Sequence, residues 1–169
     1  MNILALDLSL TATGWANSEG ESGVLVPPLD HNRGMSRLRW IRREVLERVP
    51  GIELVVIEGY SFGAKGDAIL NLAELGGVIR MAIADGDLQF VDVPPACLKL
   101  FATGKGNAKK DDVFAAAIRR LDYQRNDHNE ADALWLLAMA QAHATGVAHN
   151  ETERRALSKI KWPFVPVPV

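Results

Sequence analysis

Two short apolar runs that each end in a single acid constrain this chain most. Ile3, Leu4 and Leu6 lead into Asp7, and Leu54-Val55-Val56-Ile57 leads into Glu58. Continuous apolar runs of this length, bounded by turn residues, fit central strands of a parallel or mixed sheet covered on both faces. Neighbouring strands that finish in an acid would bring two carboxylates side by side at the sheet rim. A half-dry carboxylate is costly unless a cation neutralises it. Two close together raise a pKa or recruit a cation that keeps both ionised. A divalent metal is one such cation, and a structural Arg or Lys is the other.

The rest of the chain builds around these runs. Thr13–Ala16 and Val24–Val26 read as short strands joined by the polar stretch Glu19–Gly23, so the chain opens with three antiparallel strands, ended by Pro27-Pro28. Met35, Leu38, Ile41, Val45, Leu46 and Val49 recur at helical spacing, with arginines and glutamates on the other face. Those arginines suit a solvated face or a binding surface. Pro50-Gly51 stops this helix. After Glu58, Gly59–Asp67 reads as a loop carrying Tyr60, Phe62 and Lys65. Ala68–Ala84 reads as a second helix whose Gly76-Gly77 pair predicts a close helix approach, and Leu88–Val93 as a strand.

Ala96–Phe101 reads as one helical turn, followed by a mobile basic loop, Thr103–Asp112, with Lys105, Lys109 and Lys110. Val113–Leu121 and Glu130–His143 read as helices. The last is apolar nearly all round and so buried. Asp132 lies in its first buried turn and needs a partner, whereas Asp127 or Asn129 suits a helix cap. The chain from 149 to 169 is charged, then Pro-rich, and reads as an extended surface tail.

A length of 169 residues suits one domain, here 1–148, followed by that tail. Net charge is -2, which argues against a globally basic nucleic-acid binder but leaves room for a basic patch. No apolar run reaches the roughly 18 residues that would span a bilayer, and no signal peptide is evident. The single cysteine, Cys97, fits a buried small hydrophobe and a cytoplasmic setting.

Asp7, Glu58 and Asp132 thus close two strands and begin a helix. Such an all-oxygen set suits Mg²⁺ or Mn²⁺, and two ions held by shared carboxylates suit phosphodiester hydrolysis. With one Cys and scattered His residues there is no zinc-ligand spacing. Four segments in this order resemble the RuvC family of Holliday-junction resolvases: D-L-S-L-T-A-T-G-W (7–15), V-I-E-G-Y-S-F (56–62), G-N-A-K-K-D-D-V (106–113) and D-H-N-E-A-D-A-L (127–134). The short form and the last motif look more like phage-type members, acting in the cytoplasm of a bacterial host. The resemblance covers roughly residues 1–143.

It implies an α/β, RNase H-like fold: a mixed central sheet of three antiparallel strands, then parallel strands, flanked by helices. It implies a metal-dependent endonuclease that nicks four-way or other branched DNA as a homodimer, with two ions per site and no membrane partner. Asp7, Glu58 and Asp132 would be metal ligands and, with Lys110, catalytic. Family members usually carry a fourth acid or a His three or four residues before the last Asp. Here His128 and Asn129 stand there, with Asp127 one step further, and helical facing ranks His128 and Asn129 first. Lys105, Lys109 and Lys110 would meet phosphates. Tyr60 and Phe62 resemble the family's aromatic at the junction centre, one of them packing under its own loop. The competing readings are an RNase H-like RNA-processing nuclease of the YqgF type and a non-catalytic branched-DNA-binding relative. A sugar-kinase or actin-like ATPase half is a further rival, but it needs a second copy of the domain that this length cannot supply.

Overall fold

A computed structural model describes residues 1–60 and 67–163. It contains a five-stranded sheet in the order β3-β2-β1-β4-β5. The strands are β1 (Ile3–Asp7), β2 (Thr13–Asn17), β3 (Ser22–Leu25), β4 (Leu54–Glu58) and β5 (Gln89–Val93). β1, β2 and β3 pair antiparallel, while β1 with β4 and β4 with β5 pair parallel. The mixed sheet follows the expected order, with the third strand starting two residues earlier than expected. Val26 stands outside it, 61% exposed.

Strand alternation divides the core in two. Ile3, Ala5, Leu54, Val56, Val91 and Val93 face one cluster, while Leu4, Leu6, Val55 and Ile57 face the other. The second cluster is covered by α1 (Gly34–Leu46), through Leu38, Ile41 and Val45, and by α2 (Asp67–Ala84), through Leu75, Ile79 and Ile83. The first is covered by α3 (Pro95–Thr103), α4 (Lys110–Arg120) and α5 (His128–Thr145). α5 contributes Ala131, Ala133, Trp135, Leu136, Met139 and Ala140, all buried, as its sequence predicts.

Three expectations need correction. α3 is nine residues rather than one turn, because Pro95 starts it and Gly104, at φ 82, ends it in the left-handed conformation. The basic segment after it is pinned rather than loose. The Thr103 hydroxyl donates to the Lys99 carbonyl (2.8 Å), Ala108 is buried, and α4 already begins at Lys110. Lastly, the chain from 149 onward is not an extended surface segment throughout. Glu151–Leu157 forms α6, whose Glu153, Ala156 and Leu157 are buried, and Ile160 joins the same core. Glu153 pairs with Arg120, and Asn150 caps the helix by accepting from the Glu153 amide (2.9 Å). Trp162 stacks on His143 at 4.4 Å. A buried acid inside a charged stretch gives no apolar signal, which is why composition misread it. Residues 164–169 lie outside the described residues. No described helix is long and apolar enough to cross a membrane.

Candidate active site

Parallel pairing and strand parity bring the first two acids together. β1 and β4 are neighbours with Leu6 opposite Ile57, so Asp7 and Glu58 end adjacent strands at the same rim. Both continue the alternation of Ile3-Ala5 and Leu54-Val56, so both lean to the face covered by α3, α4 and α5. A pocket of about 250 Å³ lies there. Asp7, Glu58, Tyr60, Lys99, Lys110 and Asp132 all contribute to its wall. Asp132 comes from the second turn of α5, and Lys110 is the first residue of α4. Lys99, on α3, is a second cation that the sequence reading missed. The helical spacing of α3 marks only its apolar face.

The electrostatics of the pocket are those of an acid cluster short of cations. Asp7 is buried and its carboxyl is held well above the usual range, by burial first, then by Glu58 and Asp132. Burial also raises Glu58, against the pull of Lys110 and Lys99. Asp132 is pushed up to about 7 by burial and by Glu58, with the same two lysines opposing. Lys110 Nζ lies 4.0 Å from the Asp132 carboxylate. Two partly exposed ammonium groups therefore do not neutralise three inward carboxylates. The donor set is all oxygen, and its unrelieved charge fits a hard divalent cation. Among the described residues, no three Asp, Glu, His or Cys groups are gathered into a ready-made cage.

The three fourth-ligand candidates have different neighbours. Asp127 caps α5, accepting from the amides of Asn129 (2.8 Å) and Glu130 (3.1 Å). His128 packs on Phe114 with ring centroids 4.4 Å apart, the rings tilted by 33°, and its Nδ1 is buried without a hydrogen-bond partner among the described residues. Asn129 Nδ2 donates to the Ala12 carbonyl (2.7 Å), and its Oδ1 accepts from Lys110 Nζ (3.2 Å). Asn129 is thus the one tied to the lysine of the pocket. Lys105 lines a separate recess with Arg119 and Arg120, on the other side of α4. Lys109 is exposed at the α4 N-cap.

Tyr60 is held rather than free. Its hydroxyl donates to the Ala73 carbonyl (3.2 Å) and accepts from Arg80 (2.8 Å), and the Arg80 guanidinium lies 4.8 Å from its ring centroid. Arg80 is anchored in turn by Asp92. The close approach at Gly76 is made by this hydroxyl and not by another helix, since a Cβ there would lie 2.0 Å from it. Phe62 and Lys65 lie outside the described residues.

Two features hold α5 so that Asp132 faces the pocket. Glu130, 2% exposed, accepts from Ser22 (2.8 Å) and Tyr123 (2.9 Å) and pairs with Arg125 (2.9 Å). Gly14 lets β2 meet the start of α5, because a Cβ there would lie 2.0 Å from the Asn129 carbonyl oxygen. Both contacting groups are backbone, so neither can swing aside. Gly14→Ala is expected to cost about 2–3 kcal/mol, roughly 5–10 °C in Tm, and to slow any reaction that uses Asp132. Calorimetry beside activity checks this.

A family profile described as "Crossover junction endodeoxyribonuclease RuvC" matches residues 21–143. A relative of that name from Bdellovibrio bacteriovorus is 32% identical over 92% of this chain and 97% of its own. One from Prochlorococcus marinus (strain MIT 9211) is 27% identical over 83% and 97%. Among solved structures, Thermus thermophilus RuvC superposes with a TM-score of 0.69 at 20% identity, covering 86% of this chain and 97% of that one. The same enzyme in complex with a Holliday junction substrate gives 0.69 at 18% identity, covering 86% and 96%. At these identities the structural likeness is one of fold.

Proposed function

The chain belongs to the RuvC family of crossover junction endodeoxyribonucleases, and we propose that its acidic pocket cuts phosphodiesters at the crossover of branched DNA. The reading rests on one observation: Asp7, Glu58 and Asp132 share a pocket with Lys99 and Lys110. Asp7, Glu58 and Asp132 would hold the divalent metal, Mg²⁺ or Mn²⁺, as a pair of ions, with Asn129 bonded to Lys110 beside them. When bound, such ions supply an activated water and a positive clamp on the leaving oxygen. The chain's own part is positional and electrostatic. The carboxylates lie at the rim, where a phosphodiester can reach them. The Lys110 and Lys99 ammonium groups stabilise charge that builds on the phosphoryl oxygens. Lys105 and Lys109 take flanking phosphates. Tyr60 forms a fixed aromatic wall, and the resemblance leaves Phe62 for stacking at the junction centre. The nuclease domain includes α6, which closes the core that residues 1–148 build.

Paired cutting of a symmetric junction asks for two copies. α2 offers a surface for this: Leu70, Gly77 and Met81 share one stripe, with Leu70 68% and Met81 64% exposed. Met81→Asp is expected to convert the dimer to monomer in light scattering and to uncouple the two nicks.

The test is cleavage of labelled four-way junction, fork, flap and linear duplex with Mg²⁺, Mn²⁺ or EDTA. Metal-dependent paired nicks confined to the junction are expected. Tight junction binding without cutting would favour the non-catalytic reading, with Asn129 as its cause. Activity on structured RNA alone would overturn the DNA substrate. In the same assay Lys110→Ala is expected to slow cleavage by about a hundredfold. It should also flatten the salt dependence of binding by about one unit of slope, as one phosphate contact is lost.

A further inference from the structure

Six of the 19 basic residues lie between Arg33 and Arg48, on and beside α1. Arg43 pairs with Glu44 (2.9 Å) and Glu47 (3.8 Å). Arg48 pairs with Glu44 and lies over the Trp15 ring. Among the described residues no acid pairs with Arg33, Arg37, Arg39 or Arg42. All but Arg37 are exposed, and Arg37 is partly so. The nearby acid is Asp30, 3.7 Å from His31 and itself 77% exposed. Arg39 also lines a recess of about 340 Å³ with His31, Ser36, Trp40 and Arg43, where His31 Nδ1 is 2.8 Å from the Ser36 hydroxyl.

Folding does not ask for this arrangement. Like charges one turn apart on a helix repel, and α1 has no acid in its first turn to set against Arg33 and Arg37. The hydrophobic stripe Leu38, Ile41 and Val45 would dock α1 equally well with neutral residues outside. A chain of net charge -2 thus keeps a cationic face that its own fold leaves unanswered.

Topology tells where that face lies. β3 runs antiparallel to β2, and Leu25, its last residue, is opposite Thr13, the first of β2. Gly14 is in turn opposite Asp7. The chain therefore leaves β3 at the same rim that carries Asp7 and Glu58, and α1 begins further on, at Gly34, after a short 3-10 turn at Leu29–His31. Two strand spacings and one helix layer separate the acids from the start of α1, on the order of 15–20 Å. At 3.4 Å per base step this is about five base pairs of duplex.

We propose that the arginine face of α1 binds the phosphate backbone of a duplex arm, about five base pairs from the phosphodiester held at the acidic pocket. This deepens the proposed function and rests on it. The partner is a polyanion of regular spacing. Guanidinium forks suit phosphate oxygens bidentately, and no base-edge reading is implied. The face thus holds the arm while the pocket acts at the crossover.

The test uses the full chain in Ca²⁺, with four-way junctions of about 20 base pairs per arm and a linear duplex of equal length. Arg37→Ala, Arg39→Ala and Arg42→Ala are combined, and a second triple variant carries Lys at the same positions. The alanine triple is expected to melt like wild type, since these side chains make no described ion pair. It should bind the junction about tenfold or more weakly, with the salt slope reduced by about two to three, at about 0.9 per phosphate. The lysine triple should recover most of that slope. Ethylation of arm phosphates about four to seven positions from the crossover should weaken wild type and leave the alanine triple unaffected. Equal slopes for wild type and the alanine triple, with an unchanged ethylation pattern, would overturn the proposal. If wild type binds duplex as tightly as junction, the functional reading fails. The slopes measured on that duplex still decide for or against the α1 face.

Discussion

Asp7→Asn is expected to lower the rate of junction cleavage by about a thousandfold or more, because metal-assisted stabilisation contributes several kcal/mol to the transition state. Binding of the junction should stay within a few-fold of wild type, since Asp7 is largely buried beside Glu58 and would act through the metal rather than as a direct grip on the DNA. The two readouts must part company for the assignment to stand. Loss of binding with loss of cutting would mean that the substitution has disturbed the rim itself. Normal cutting would mean that the reaction is run elsewhere. The metal-free variant should also melt higher than the metal-free wild type at neutral pH. It removes one carboxylate that burial and two neighbouring acids make unfavourable.

The second large effect is on stability against pH. Asp132 titrates at about 7 in the fold, from an ordinary value of 3.8. Its folded pKa is raised, so between those values the native state binds more protons than the unfolded one, and stability falls with rising pH. The contribution is fully present below about pH 4 and is lost as pH rises through about 7. Glu58 and Asp7 are shifted the same way. Metal-free protein is therefore expected to melt several degrees lower at pH 8 than at pH 5.5, with Asp132 alone worth a few kcal/mol. Mg²⁺ or Mn²⁺ at pH 8 should restore most of the loss, because an ion that binds only the native state stabilises it. Asp132→Asn should flatten the pH slope and weaken the response to metal. A metal-free Tm that rises between pH 5.5 and 8, with Asp132→Asn indistinguishable from wild type, would refute this reading of the pocket.

Much of this architecture is legible in the residues because two periodicities carry it. Continuous β-branched and leucine runs mark the covered strands β1 and β4, and both end in their acids where the sequence places them. The 3.6-residue spacing marks α1, α2 and α5. What escaped lies where the stabilising groups are polar. α6 is held by Glu153, Arg120 and Asn150, and none of these reads as core by composition. Lys99 escaped because its role in the pocket depends on how α3 packs across the sheet, a contact distant in sequence. Glu130 reads as an ordinary first-turn acid, and only the arrival of Ser22, Tyr123 and Arg125 makes it a buried hub. The Gly76 approach is legible as a need for a missing side chain, but its partner, Tyr60, is not.

The sheet works as a partition. One side carries Asp132, Lys99 and Lys110 on the helices that cover it, and the other carries α1 and α2, with their arginine face and their exposed apolar stripe. The two sides share the strands but few side chains, since alternate residues serve opposite layers. Substitutions on the outer faces of α1 and α2 can therefore change how firmly an arm is gripped, or how two copies associate, while the cutting chemistry keeps its geometry, provided the α2 residues that hold Tyr60 against the pocket are left in place. A chain built this way can acquire a new grip by point mutation without first losing its edge. The same division gives a protein engineer one side to redesign and one to leave alone.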